Sequence, residues 1–126
     1  MKPADVRFGN YIADWDYDFF CGDVFKGSSF EVIEVDSDVI ARLEEDSIYD
    51  FLEGIPLTTE WLIDLGFDYD EITYTNYPIS VGKTNNDEFV FWQRTQPEFE
   101  FKIEWVHQLQ NLYFGITGKE LKKKAS

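Results

Sequence analysis

Residues 98–105 read EFEFKIEW, and residues 106–117, which follow directly, read VHQLQNLYFGIT. In the first stretch, large apolar residues alternate with charged ones, which is typical of an antiparallel strand with one buried and one solvated face. The second stretch repeats apolar residues at helical spacing and precedes Gly118, a residue that readily ends a helix. The buried face of this helix is predicted at Trp105, Leu109, Leu112, Tyr113 and Ile116. A strand that leads into an amphipathic helix indicates a mixed α+β fold.

A second helix is predicted over residues 59–65. Thr58 is a favourable N-cap residue. Gly66 can take the left-handed conformation that ends a helix, and Phe67 can then pack back on Leu62. These signals lie on both sides of a short apolar stripe, so the helix is short but well delimited.

Strands are predicted over six segments: 6–13, 19–25, 30–35, 72–80, 88–94 and 98–105. The second and third should form a hairpin around Lys26-Gly27-Ser28-Ser29. Residues 14–18 read as a polar, exposed connection, and residues 36–43 as a turn or cap followed by a short helical turn. The predicted architecture is α+β: a twisted antiparallel sheet of five or six strands, open or partly closed as a small barrel, with two short helices.

The length of 126 residues fits one domain, 1–126. The one cysteine, Cys21, allows no intramolecular disulfide. The N-terminus lacks the apolar run of a signal peptide, and no stretch approaches about 18 consecutive apolar residues. We therefore expect a cytoplasmic protein that does not interact with membranes, with a basic tail over 119–126 that frays beyond the last helix.

Charge is the strongest global feature of the sequence. The net charge is −14, and residues 14–71 hold eighteen Asp and Glu against only Lys26 and Arg42. Residues 72–126 hold six acidic and seven basic side chains. Such a field repels nucleic acid and favours basic protein surfaces or cations. The alternative is that the acidic side chains only keep an aromatic-rich chain in solution.

Three segments carry a resemblance to known sequences. They are VRFGNY at residues 6–11, IPLTTEWLIDLGF at residues 55–67 and VHQLQNLYFGITG at residues 106–118. In these segments and in their order, the chain resembles a group of short uncharacterised proteins encoded in bacterial genomes and their phages. The resemblance implies a phage or prophage setting in a bacterial host cell, and it implies no activity.

Residues with catalytic potential are few. His107 is the only histidine, so one chain cannot form a histidine pair, and helix capping, solvent exposure or a structural hydrogen bond is the simpler interpretation. Asp14, Asp16 and Asp18 resemble the start of a calcium loop, but both positions where an EF-hand needs Gly and Glu are Phe. Phosphate-binding, nucleophile-elbow and zinc motifs are missing. We predict no catalysis, no cofactor and no metal ion, while a loose Mg²⁺ or Ca²⁺ site remains an alternative.

The function predicted from the sequence is that of a non-enzymatic, small acidic binding protein. Its partner is expected to be a protein with a basic surface, without direct binding of nucleic acid. Two alternatives stay open: a nucleic-acid mimic or counter-defence inhibitor of a basic host protein, and a small hydrolase or metal-dependent enzyme. The acidic residues of segment 14–53 should cluster on one surface, and Phe114 lies off the apolar stripe of its helix. The candidate interface is Asp14, Asp16, Asp18, Glu44, Glu45, Asp46 and Phe114.

Overall fold

The computed structural model of this protein describes residues 1–94 and 96–124, and for residues 96–99 it describes the backbone only. After a short 3-10 turn, the chain forms β1 (Tyr11–Phe20), β2 (Asp23–Glu34), α1 (Ser37–Glu45) and β3 (Phe51–Glu53). The later elements are α2 (Thr59–Asp64), β4 (Asp68–Tyr69), β5 (Thr73–Asn76), β6 (Ile79–Lys83), β7 (Phe89–Gln93), β8 (Gln96–Ile103) and α3 (Val106–Thr117). Internal contacts divide the chain into two compact units, Met1–Ile55 and a second that begins at Pro56.

The first unit is a three-stranded antiparallel sheet in the order β2-β1-β3, with α1 packed against one face. Its core joins apolar side chains of the sheet, of the helix and of the segment between β2 and α1. These residues are Ile12, Val35, Val39, Leu43 and Leu52. A sheet this small is stabilised mainly by burial of one face under the helix.

Two predictions for this sheet are wrong. β1 begins at Tyr11 and continues to Phe20, so residues 14–18 are strand and not an exposed connection. The hairpin turn lies at Cys21–Gly22, because both residues have positive φ, 53° and 83°, as a two-residue hairpin turn requires. The Gly-Ser-rich segment 26–29 lies inside β2.

α1 is a full helix where the sequence indicated only a helical turn, so the described residues contain three helices longer than one turn and not two. The Asp36 carboxylate accepts the backbone N–H of Val39 at 3.0 Å, which confirms the predicted cap. Val39 and Leu43 then face the core one turn apart. The helix ends at Asp46, whose φ of 52° is left-handed.

The second unit contains a five-stranded antiparallel meander in the order β4-β5-β6-β7-β8. The predicted strand 72–80 is divided by a turn at Tyr77 and Pro78 into β5 and β6. The bounds of α2 and α3 agree closely with the predicted ones. The Thr58 hydroxyl accepts the N–H of Trp61 at 3.2 Å, and the N–H of Phe67 donates to the carbonyl of Leu62 at 3.0 Å.

The buried face of α3 is rotated from the predicted one. Its buried residues are Val106, His107, Leu109, Gln110 and Tyr113. The prediction is correct at Leu109 and Tyr113, whereas Trp105 and Leu112 are half-buried and Ile116 is 37% exposed. Phe101 on β8 is likewise exposed, although the alternation of apolar and charged residues over 98–105 predicted that it is buried.

The tail after α3 explains part of this rotation. Leu121 is buried, and the side-chain amide of Gln110 donates to its carbonyl oxygen at 3.0 Å, which satisfies a polar group inside the unit. The backbone N–H of Lys124 donates to the carbonyl of Asp64 at 2.7 Å. The tail predicted to fray therefore packs on its unit through Lys124, while residues 125 and 126 lie outside the described part of the chain.

The α+β class with antiparallel pairing is confirmed, but the arrangement differs from one sheet of five or six strands. Two sheets of three and five strands form, and both strand orders are open, so neither closes into a barrel in the described residues. β1 pairs with β3 through contacts such as Trp15 with Phe51, which are remote in sequence. The assignment of 1–126 to a single domain stays a prediction.

We predict that Leu109→Ala lowers the free energy of unfolding by about 2–5 kcal/mol, because Leu109 is fully buried and truncation leaves a cavity. Ile116→Ala, two turns further along the same helix, should cost less than about 1 kcal/mol because its side chain is partly exposed. Urea titration followed by circular dichroism measures both. Equal losses would show that the buried face of α3 is assigned incorrectly.

Candidate functional site

The β1–β2 hairpin is much longer than the third strand of its sheet. β3 pairs only with residues 13–15 of β1. Residues 17–20 pair with β2 alone among the described strands. Residues 16–26 therefore form a two-stranded ribbon with both backbone edges open, and large side chains on such a ribbon have few neighbours that could bury them.

An irregularity marks the start of this ribbon. Trp15 pairs with Phe30, whereas Tyr17 pairs with Lys26, so β2 places three residues opposite one residue of β1. An insertion of this kind bends the hairpin and increases its twist. It sets the direction in which the outer half of the ribbon leaves the sheet.

The inserted residues fit closely against Asp16. The Ser29 hydroxyl donates to Asp16 Oδ2 at 2.6 Å. A Cβ added at Gly27 would lie 2.9 Å from the backbone oxygen of Asp16, which is closer than side-chain atoms are normally found. The bulge therefore requires glycine at 27, and this explains why a sequence typical of a turn occurs inside a strand.

Three aromatic rings are grouped on one face of the ribbon: Tyr17, Phe19 and Tyr49. We call them the aromatic cluster. Ring centroids lie 6.1 Å apart for Tyr17 and Phe19, 5.4 Å for Tyr17 and Tyr49, and 5.7 Å for Phe19 and Tyr49. The three side chains are nonetheless 48%, 59% and 44% exposed. They hold one another in place and still present an apolar surface.

Further rings extend this surface toward the base of the hairpin. Trp15 and Phe30 are in contact, with centroids 4.7 Å apart. Lys26 Nζ lies 4.5 Å above the Trp15 ring and 2.9 Å from Glu53 Oε1. One of the few cations of the unit is thus already engaged by a carboxylate and a ring.

Asp14 differs from the other acidic residues of β1. Its two carboxylate oxygens accept hydrogen bonds from Arg42 of α1, both at 3.1 Å, and Arg42 also donates to Asp50 at 2.8 Å. The hydrogen bond to Asp50 and, to a smaller extent, the hydrogen bonds to Asp14 raise the pKa of Arg42 above its ordinary value. Asp14 therefore links the sheet to α1, which makes it a structural residue.

The other predicted interface residues fall into three places. Asp16 and Asp18 are exposed on the ribbon, where Asp18 pairs with Phe25. Glu44, Glu45 and Asp46 form the exposed C-terminal end of α1. Phe114 is 37% exposed on α3 and belongs to the second unit.

The aromatic cluster was not predicted from the sequence, although residues 14–18 are conspicuous for their acidic and aromatic side chains. The alternation of acidic and aromatic residues in Asp14–Asp18 is itself a period-two strand pattern. Read in that way, it places Tyr17 and Phe19 on one face and the carboxylates on the other. Nothing in the sequence signals that Tyr49, thirty residues away, joins them.

Groups with catalytic potential are dispersed in the described residues. His107 is buried in the first turn of α3, which corrects the option of solvent exposure. Cys21 is exposed in the hairpin turn. In the described part of the chain, no three His, Cys, Asp or Glu side chains come together so that they could hold a metal ion.

A groove of about 290 Å³ lies in the second unit, between the segment that precedes α2 and strands β7 and β8. Its apolar lining includes Leu57, Phe89 and Trp105. Two of its polar residues, Glu88 and Lys102, bind each other at 3.0 Å. Charges that are paired in this way do not converge on a common point, as the polar groups of an active site do.

Within the described residues, no helix has both the length and the apolar character needed to cross a membrane. The chain matches no protein-family model, no curated protein and no solved structure.

We predict that Gly27→Ala destabilises the first unit by about 1–3 kcal/mol, because the new methyl group would meet the backbone of Asp16. Gly115→Ala is the matched control: this glycine lies in α3, nothing lies within 4 Å of an added Cβ, and alanine should stabilise the helix by about 0.5–1 kcal/mol. Chemical denaturation reports both changes. Two variants of equal stability would contradict the close packing of the bulge.

Proposed function

We propose that this protein is a non-enzymatic binding protein that recognises a basic surface on another protein. The observation that carries the proposal is the aromatic cluster, which stays exposed on the ribbon although burial of large apolar side chains drives folding. Contiguous exposed apolar side chains on a folded protein are typical of interaction sites.

Aromatic side chains are well suited to such a role. Each fully buried ring removes about 150–250 Å² from water. About half of that area is still accessible at Tyr17, Phe19 and Tyr49, so covering it would contribute roughly 2–3 kcal/mol per ring before the costs of association. The mutual ring contacts also restrict rotation before binding, which lowers the entropy cost of an interface.

The charge of the first unit supports a basic partner. Met1–Ile55 contains fourteen Asp and Glu and four Lys and Arg, a net charge of −10. Two of those cations, Lys26 and Arg42, are already paired with carboxylates. The remaining negative field attracts basic surfaces over several ångströms and speeds their encounter.

The end of α1 gives independent support. Glu44 and Glu45 occupy its last turn, and Asp46 is its C-cap. Carboxylates are disfavoured there, because the C-terminal end of a helix carries partial negative charge. Three acidic residues placed against the helix dipole do not serve folding, which is consistent with selection for an external contact.

The setting of the proposal comes from the resemblance of segments 6–11, 55–67 and 106–118. We propose that the protein acts in the cytoplasm of a bacterial host cell as a phage or prophage product. Direct binding of nucleic acid is not part of the proposal, because the acidic field opposes contact with phosphates.

We predict that the aromatic cluster dominates affinity for the partner. The partner is first captured from a bacterial lysate with the full chain, and binding is then measured by surface plasmon resonance. Combined Tyr17→Ser and Phe19→Ser should weaken affinity at least about 30-fold, the usual scale of hot-spot residues. Ile72→Ser is the control, because Ile72 is 82% exposed in the second unit. Equal affinity of the double variant and the control would contradict the proposal.

A separate prediction concerns charge. Reversal of Asp18 to lysine should slow association and flatten its dependence on salt, because this carboxylate is exposed on the ribbon. Asp14 and Asp16 are left unchanged, since Asp14 binds Arg42 and Asp16 accepts the hydrogen bond of Ser29 at the bulge. Asp68→Lys, exposed in the second unit, is the matched control. An unchanged association rate at low salt would contradict a basic partner. Binding that depends on charge and not on the rings would instead indicate a nucleic-acid mimic.

A further inference from the structure

β2 is an edge strand of its sheet. It stands at the end of the order β2-β1-β3, so in the described residues only one of its sides pairs with a strand. The other strands at sheet ends are poorer templates: β3 has three residues and β4 two, and β8 contains Pro97, which has no N–H to donate. β2 has twelve residues and no proline. It is the strand edge best able to accept another strand.

The register shows which backbone groups point to the open side. The N–H of Val35 donates to the carbonyl of Asn10 at 2.8 Å, so this pair is hydrogen-bonded across β1 and β2. Hydrogen-bonded and non-hydrogen-bonded pairs alternate along antiparallel strands. Ile33 and Glu31 therefore point their backbone groups toward β1, whereas Val32 and Phe30 point theirs away from it.

We propose that an extended basic segment of the partner protein adds to β2 as an antiparallel strand opposite residues 30–34. This inference rests on the proposed function and specifies how the partner is held. The bulge at residues 27–29 ends the regular pairing on one side, and the loop at Val35 ends it on the other. Antiparallel pairing is chosen because its hydrogen bonds are the more stable per residue.

The side chains around this edge define the chemistry of the segment. Phe30, Val32 and Glu34 share one exposed face, and an added strand would place apolar residues beside Phe30 and Val32. Glu31 is exposed on the other face, where lysine or arginine would be favoured. The recognised pattern is thus an alternation of apolar and basic residues. A second copy of this chain fits poorly, because it brings Glu31 and the same net charge of −14 to the pair.

The test uses the full-length protein and an acetylated, amidated peptide, Lys-Val-Lys-Val-Lys-Val-Lys, in place of the partner. In an antiparallel pair, residues directly opposite share a face, so the valine residues beside Phe30 and Val32 direct their N–H groups toward β2. N-methylation of the three valines removes those donors. N-methylation of three lysines is the matched control, because it changes only the outer side of the peptide.

The parent peptide should bind at low salt, methylation of valine should weaken binding at least about tenfold, and methylation of lysine should change it less than about threefold. Hydrogen exchange at the amides of Phe30 and Val32 should slow when the parent peptide is added. Absence of binding by the parent peptide, or any other ranking of the two methylated peptides, overturns the inference.

A variant of the protein tests the same edge from the other side. Val32→Pro removes an outward N–H without breaking a bond to β1, and proline is tolerated at such edge positions. Val32→Thr keeps the donor and is the control. Peptide binding should fall at least about tenfold for the proline variant only, and equal effects contradict strand addition. The serine variants of the aromatic cluster are measured with the captured partner, so they test the proposed function separately. Failure of the peptide and proline experiments would overturn strand addition and leave the proposed function in place.

Discussion

The first unit is governed by a difference in strand length. β1 and β2 have ten and twelve residues, whereas β3 has three and pairs only with residues 13–15. Strands that continue past their neighbour lose the flanking backbone partner and the packing that comes with it. The exposed rings of the outer hairpin follow from this mismatch, whereas the open side of β2 follows from its position at the end of the sheet.

The bulge helps to give the protruding half of the hairpin a defined conformation. A two-stranded ribbon is only marginally stable by itself, so its outer half needs local contacts to hold one conformation. The Ser29–Asp16 hydrogen bond and the close approach of Gly27 fix its base, and the contact of Tyr17 and Phe19 with Tyr49 ties its face to the segment before β3. The result is an apolar face that is exposed but ordered, which is the condition for binding without a large entropy cost.

Charge in this unit divides into a structural part and an external part. Arg42 is held by Asp14 and Asp50, and Lys26 by Glu53, so these acidic residues contribute to folding. Asp18 and the acidic end of α1 are exposed and have few basic residues near them in sequence. Those exposed carboxylates set the field that a partner meets, while the rings and the strand edge supply the short-range contacts.

Local signals in the sequence determined the helices of the second unit. Thr58 and Gly66 delimit α2, and Gly118 ends α3, because caps and left-handed endings depend on residues within one helical turn. The acid–aromatic alternation at residues 14–18 also encoded a strand. Its interpretation as a loop was wrong because the polar character of the segment was given more weight than its period-two alternation.

Tertiary structure alone decided which strands pair and which side chains are covered. The side of α3 that is buried includes Gln110, whose amide needs the carbonyl of Leu121 from the tail, and the aromatic cluster needs Tyr49 beside Tyr17. Burial depends on what lies across from a residue in space, and chain neighbours do not carry that information. Helix ends could therefore be located from the sequence, whereas the division into two sheets and the exposed face of the hairpin could be seen only in the folded chain.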